Sequence, residues 1–337
     1  MNEKKEEDHN AKKKVHDLII FDNYETKKDF SKSLSEKTEH IDQEYEIKLI
    51  NDLEPFGDKF RYSVFIRNES LSPINEVKIM VKYPRFLNLS RSSPPTVIIN
   101  THEEEEAKGK KEPKELTLQF DQISATNTRQ VNFYFNPLKS KEKGTIKTFT
   151  RFLNADDYVR VLNSDPIEVK TIPVSVEPKI VPSSYIPEFL KLAGLKKAIK
   201  SVGIVSKKEF NPDFYFDQIE VIIRMNNFQK IAKDEKKKIC WYFGKHVDTN
   251  QEILIIGQVN DNKIEWIASS KNSYILVSVL TYFLDELKTR LLRMGIINSE
   301  NDIYNLSCAN CGHTLPKFPK KGEYIECSNC KLKQIVW

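Results

Sequence analysis

Between residue 44 and about residue 178, apolar and polar positions alternate with a period of two, and the apolar set is rich in β-branched and aromatic side chains. That is the pattern of half-buried strands. It predicts strands over 45–51, 60–67, 76–83, 96–100, 115–120, 130–136, 145–152 and 167–176. The separators carry turn chemistry: Glu54-Pro-Phe-Gly57, Asn68-Glu-Ser70, Ser93-Pro-Pro95, Asn136-Pro137 and Asn154-Ala-Asp-Asp157. Short strands in succession, with no helical period between them, predict an all-β antiparallel sandwich of the immunoglobulin-like kind over 44–178. The acidic-then-basic run 103–114 falls between two of these strands and reads as a solvated loop.

The pattern then changes. Pro173, Pro178, Pro182 and Pro187 punctuate a semi-rigid stretch whose linker is placed at 179–187. Over 188–297 the spacing predicts an α+β, platform-like domain. Apolar residues at 189, 190, 192, 195, 199 and 202 suggest a helix over 188–202. Residues 214–224 read as a strand, and 227–236 as a short helix capped by Asn226 or Asn227. A three-stranded meander follows over 238–245, 252–259 and 263–268, its second turn made by Asn260-Asp-Asn262. A long helix starts near Asn272 or Ser273, with a stripe of Leu276, Leu280, Phe283, Leu284, Leu287 and Leu291. Basic Lys288, Arg290 and Arg293 suit the negative end of its dipole. The domain is expected to be a three- or four-stranded antiparallel sheet covered by helices. Residues 298–305 lead out of it. Before the sandwich, residues 1–43 are highly charged and read as a disordered tail. One apolar island, Leu18-Ile-Ile-Phe21, fits either a docking motif or an extra strand.

The C-terminal segment, 305–337, carries the one motif that names an atom. Cys308 and Cys311 form a C-x-x-C pair, and Cys327 and Cys330 form a second. Two such pairs at this spacing match a zinc ribbon, each turn aiming two sulfurs at one point. Four thiolates fill a tetrahedral shell, so one structural Zn²⁺ is expected, with no open position for catalysis. His313 lies beside the set and reads as a surface residue. Cys240, in the apolar run Lys238-Ile-Cys-Trp-Tyr-Phe243, reads as a small buried hydrophobe.

Charge and missing motifs narrow the function classes. The chain has 53 basic and 48 acidic residues, a balance too even to mark a nucleic-acid binder. Lysines concentrate locally, at 191, 196, 197, 200, 207 and 208, and the ribbon holds five against two glutamates. With ten glycines, no phosphate-cradling glycine loop is present, nor is H-E-x-x-H or G-x-S-x-G. The expectation is therefore a protein that is not an enzyme. The absence of an apolar leader or a long apolar span predicts a cytoplasmic location.

Within the sandwich, Phe65-Ile-Arg-Asn-Glu-Ser70 ahead of Pro73-Ile-Asn-Glu-Val-Lys-Ile-Met-Val81, and Ile123-Ser-Ala-Thr-Asn-Thr-Arg129 ahead of Val131-Asn-Phe-Tyr-Phe135, resemble immunoglobulin-like modules. Local phrases extend the likeness: Asp156-Asp-Tyr-Val-Arg160 leading to Ile167-Glu-Val-Lys170, and Ile253-Leu-Ile-Ile-Gly257 leading to Lys263-Ile-Glu-Trp266. With the element order over 44–295, these resemble the appendage of adaptins and γ-type coatomer subunits. The chain departs from that family by adding a zinc ribbon and by lacking a helical solenoid. A meander followed by a long helix also fits longin or roadblock-type scaffolds. The resemblance implies a non-enzymatic hub that captures short peptide motifs in vesicle transport. Trp241, Phe243 and Trp266, with Tyr242, are candidates for lining a peptide groove, although each taken singly fits a core position on an alternating strand better. The alternative is a nucleic-acid-binding ribbon with a role in transcription or RNA metabolism. There Lys317, Lys320, Lys321, Lys331 and Lys333 would meet phosphates while Phe318, Tyr324 and Trp337 offer stacking faces. A third expectation places the lysines of 191–208 against anionic lipid.

Overall fold

The computed structural model describes residues 46–95, 113–206, 209–260 and 262–337 in full and residues 38–42 as backbone. The apolar island at 18–21, the strand read at 96–100, most of the 103–114 loop, and Lys207 and Lys208 lie outside the described residues. The alternating segment forms two antiparallel sheets. One runs in the order β1 (Thr38–Asp42), β2 (Ile47–Phe56), β3 (Lys59–Asn68), β7 (Thr128–Pro137) and β5 (Leu87–Ser93). The other runs β10 (Ile167–Lys170), β8 (Lys143–Leu153), β4 (Ile74–Tyr83) and β6 (Lys114–Ile123), with β9 (Val159–Asn163) also paired to β8. Alternate residues point inward: Phe60, Tyr62, Val64 and Ile66 from β3 meet Val77, Ile79 and Val81 from β4. Tyr62 is satisfied inside this core by Thr148, Oη to Oγ1 2.6 Å.

The sandwich therefore holds as read, with three adjustments. Thr38–Asp42, assigned to the charged tail, pairs with β2. β5 and β9 lack the strand pattern in the sequence: Leu87-Asn-Leu-Ser-Arg-Ser-Ser93 is mostly polar, and β9 leaves Val159 and Val161 exposed. The single strand read at 167–176 is two. Pro173 interrupts it, and β11 (Val176–Pro178) pairs with the next domain's sheet.

That sheet has the order β11, β14 (Ile239–His246), β15 (Glu252–Asn260), β16 (Lys263–Ser270), β12 (Lys196–Ile204) and β17 (Ile303–Asn305), with β13 (Gln229–Asp234) also along β14. Helices α2 (Pro212–Met225) and α3 (Ser273–Arg293) cover one face, and a short α1 (Tyr185–Phe189) sits on the other. The meander and the long helix are where the sequence placed them. Asn262 takes the left-handed conformation in the β15–β16 turn, φ 59°. Asn272 caps α3 by accepting from the amides of Tyr274 and Ile275.

Three elements of this domain reverse the sequence reading. The helix expected at 188–202 is a turn of α1 followed by β12. The strand expected at 214–224 is α2, and the helix expected at 227–236 is β13. Aromatic and β-branched residues suggested a strand over α2. Its true signals were Asn211 as cap, Pro212 at the first helical position, and buried Tyr215, Phe216, Ile219, Ile222 and Ile223 at helical spacing. Asn226 and left-handed Asn227 (φ 61°) then close α2 rather than opening a helix.

Residues Glu36 to Trp337 pack as one compact unit. The two large parts share α3: Val277 belongs to the sandwich core, and Tyr274 lies 6.1 Å from Phe60. A buried ion pair crosses the same junction, Lys200 Nζ to Asp58 Oδ2 at 2.9 Å, with Lys59 on Asp58 Oδ1 at 3.1 Å. Among the described residues, no helix is long and apolar enough to cross a membrane.

Candidate metal site and binding face

The two knuckles are built alike. In the first, Cys308 donates its amide to the His313 carbonyl, and the Gly312 amide returns to the Cys308 carbonyl. In the second, Cys327 donates to Leu332, and Lys331 returns to Cys327. The returning residue is left-handed in both, Gly312 at φ 75° and Lys331 at φ 61°. The hairpin β18 (Tyr324–Glu326) and β19 (Lys333–Ile335) holds the second knuckle. The four Sγ atoms of Cys308, Cys311, Cys327 and Cys330 lie within 4.8 Å of one another. Cross-knuckle sulfur pairs stand at 3.5 Å (Cys308–Cys330) and 3.6 Å (Cys311–Cys327). These spacings are far too long for disulfides, about 2.05 Å. They are close to the roughly 3.8 Å edge of a tetrahedron with metal–sulfur bonds of about 2.3 Å. The set can hold a metal ion and is consistent with zinc. Burial raises the Cys308 thiol to about 12. Burial also opposes ionisation of Cys330, but the Leu332 amide and the neighbouring thiols outweigh it and bring that thiol down to about 6. A divalent ion in the shell would ionise the rest.

The ribbon is fastened on two sides. Arg91 of the sandwich lies over the Tyr134 ring, 3.5 Å from its centroid, and donates to the Asn310 carbonyl at 3.1 Å. Phe318 packs against Gly203 of β12 so closely that an added Cβ would stand 2.1 Å from its ring. Phe318 also stacks on Trp337 at 5.6 Å, and both rings contact Tyr304.

Gly203 belongs to the sheet face opposite α2 and α3, and the rest of that face can be followed by register. Ile199 pairs with Ile267, Ile267 with Ile256, and Ile256 with Trp241. These four side chains form one straight apolar row across four strands, and all are only half-buried. Two residues along the strands on one side lie Phe243 and Leu254, covered by Phe189 of α1. On the other side come Gln258 and Glu265, hydrogen-bonded to each other, then Lys263, which donates to the Leu315 carbonyl of the ribbon at 3.5 Å. From the Leu254 row to the Lys263 row is six residues along β15, roughly 20 Å at about 3.4 Å per residue. An apolar strip thus lies open between α1 and the ribbon.

Of the groove candidates, only Trp241 reaches this strip. Phe243 shares its face but is sealed beneath α1, and Trp266 is fully buried on the opposite face near Phe283. Neither offers a surface to a partner, which corrects the expectation for both. Ile199 reads in the sequence as an apolar position of a helix, and nothing there marks Ile256 or Ile267 as surface residues, since alternation alone does not say which face stays uncovered. Of the ribbon's aromatic residues, Phe318 and Trp337 are engaged with each other and with Tyr304, while Tyr324 is 67% exposed. Lys317 is paired with Glu323 at 2.7 Å; Lys320, Lys321, Lys331 and Lys333 lie at the surface. Cys240 is buried with its thiol raised to about 12 by burial.

No family model matches the chain, and no curated protein matches it. Solved structures share parts of its outline at low similarity. An uncharacterised Nocardia farcinica protein with an immunoglobulin-like fold is 13% identical, spans 36% of this chain and 96% of its own, and has a TM-score of 0.25. A DUF4466 family protein from Parabacteroides merdae is 8% identical over 66% of this chain and 98% of its own, TM-score 0.25. A GH20 exo-β-N-acetylglucosaminidase from Vibrio harveyi is 10% identical over 64% and 38%, TM-score 0.24.

Proposed function

We propose that this protein is a non-enzymatic adaptor, appendage-like in plan, that captures short apolar peptide segments of partner proteins on the open strip of its second domain. The observation that carries the reading is the row Ile199–Ile267–Ile256–Trp241. Four apolar side chains in register, partly exposed between two walls, make a flat anchor site with a tryptophan at one end, and tryptophan is enriched where binding energy concentrates. The Gln258–Glu265–Lys263 group beside it supplies polar partners that would fix a peptide's direction. The succession of sandwich and sheet-and-helix platform supports the appendage comparison. The metal in the ribbon is zinc, held by four thiolates with no open coordination position, and its role is structural.

Peptide-display selection against the full chain tests this reading. Selected peptides should carry apolar anchors and lose at least roughly tenfold in affinity on Ile256→Gln or Trp241→Ala, with melting temperatures checked in parallel. Peptides that bind both variants unchanged, or salt-dependent binding of single-stranded nucleic acid with no peptide selected, would remove the strip as the functional surface. Elemental analysis should return one zinc per chain.

A further inference from the structure

A separate surface lies beyond the α1 wall. A cavity of about 380 Å³ opens there, lined by Lys179, Phe189, Leu192, Lys245, Glu252 and Lys271 among others. It shares Gln251 and Lys271 with a neighbouring cavity of about 470 Å³ that reaches Pro55 of the sandwich. Three lysines thus face one glutamate. Glu252 is already committed, to Lys179 and to the Tyr185 hydroxyl at 3.0 Å. The ammonium groups of Lys245 and Lys271 make no hydrogen bond or ion pair among the described residues; Glu177 of β11 stands in register with Lys245, so against it and Glu252 the three lysines leave the cleft one positive charge in excess.

Apolar side chains beside the cleft stand out into solvent: Leu192 lines it, and Leu190 and Ile180 adjoin the lining residues Phe189 and Lys179 in the chain. Leu190 is 46% exposed, Leu192 39%, and Ile180 85%. Lys191 and Lys197 flank them, both exposed. Apolar tips among lysines, around a cationic hollow sized for a phosphate-bearing headgroup, are the features of a surface that seats in the headgroup layer of an anionic bilayer. The apolar tips enter the acyl boundary while the lysine stems reach up to phosphate. A soluble acidic peptide would satisfy the lysines but would give the protruding Leu190 and Ile180 nothing to enter.

We propose that this protein is a peripheral membrane binder, docking through the α1 tip, with Lys245 and Lys271 taking the phosphate of an anionic phospholipid. This is independent of the peptide reading, since it uses the outer side of the α1 wall rather than the strip.

The test is co-sedimentation of the full chain with vesicles of phosphatidylcholine alone and of phosphatidylcholine mixed with phosphatidylserine. Binding is expected only to the mixed vesicles and should weaken as salt rises. Lys245→Gln with Lys271→Gln should weaken partitioning roughly 30-fold. Leu190→Ser with Leu192→Ser should weaken it at unchanged charge, and the melting curves of both variants identify any that fail to fold. The proposal is overturned if the mixed vesicles capture nothing, or if folded lysine variants bind as wild type does. It is also overturned if polyglutamate or inorganic phosphate binds the cleft while vesicles do not.

Discussion

Replacing Lys200 by methionine keeps an unbranched apolar stem one atom shorter than lysine's and removes one charge from the junction between the two large domains. Lys200 Nζ is 2.9 Å from Asp58 Oδ2, and the lysine side chain is only 3% exposed. Burial by itself would raise the Asp58 pKa; the ammonium groups of Lys200 and Lys59 more than reverse this and hold it at about 2, against an ordinary 3.8. At about 1.4 kcal/mol per pH unit, that depression corresponds to about 2–3 kcal/mol of folded-state stabilisation. Losing one of two cationic partners of a buried carboxylate should cost about 3 kcal/mol at neutral pH.

The sign of the acid dependence follows. A depressed carboxylate stabilises the fold above its unfolded pKa, and that contribution fades as pH falls from 3.8 toward 2. Lys200→Met should therefore start less stable at neutral pH and lose less than wild type over this acid interval. Urea unfolding at a series of pH values, with Asp58→Asn and the double variant completing a cycle, reads both effects. Coupling of at least about 1.5 kcal/mol is expected. A single variant within about 0.5 kcal/mol of wild type, or a cycle without coupling, would show that the pair does not hold the junction.

Three further outcomes follow from the ribbon and the cores. Gly203→Ala should push Phe318 off β12 and cost about 1–3 kcal/mol, read as altered tryptophan fluorescence and faster proteolysis after residue 305; unchanged signals would mean the ribbon yields without cost. Chelation or Cys327→Ser should unfold the ribbon, since metal binding in such small domains is worth on the order of 10 kcal/mol. Near-UV circular dichroism of the aromatic stack should change while the sandwich signal in the far UV persists. Cys240, its thiol raised to about 12 by burial, stays protonated across the ordinary pH range and should resist iodoacetamide in the native protein; rapid labelling would contradict its placement.

How much of this was legible depended on whether local pattern and tertiary role agreed. The sandwich strands alternate because one face is buried, and the cysteine spacing states its own geometry. α3 announced itself through a cap and a stripe. β12 did not. Its inward positions are Ala198, Lys200, Val202 and Ile204, and the lysine among them, paired across the junction with Asp58, broke the alternation that would have marked a strand. Over 214–236 composition and end signals disagree, and the Asn211-Pro212 start and the Asn226-Asn227 stop decide for a helix followed by a strand. The open strip could not be read from one strand at a time, since it exists only once four strands are in register and the covering elements stop short of it.

The two segments that join the domains also bound the second sheet. β11, the chain on its way in, lies along part of the outer edge of β14, and β17, the chain on its way out, lies along β12 at the opposite edge. Unpaired edges are templates for pairing with other chains. A fragment cut at 179 and 297, where the composition suggests boundaries, would strip both guard strands and expose backbone hydrogen-bonding groups on each side. Such a piece should self-associate even with its core intact. The portable unit is the run from sandwich through ribbon: β13 holds most of the β14 edge, and the two joining segments, β11 and β17, cover the remaining lengths of β14 and β12 that such a cut would bare.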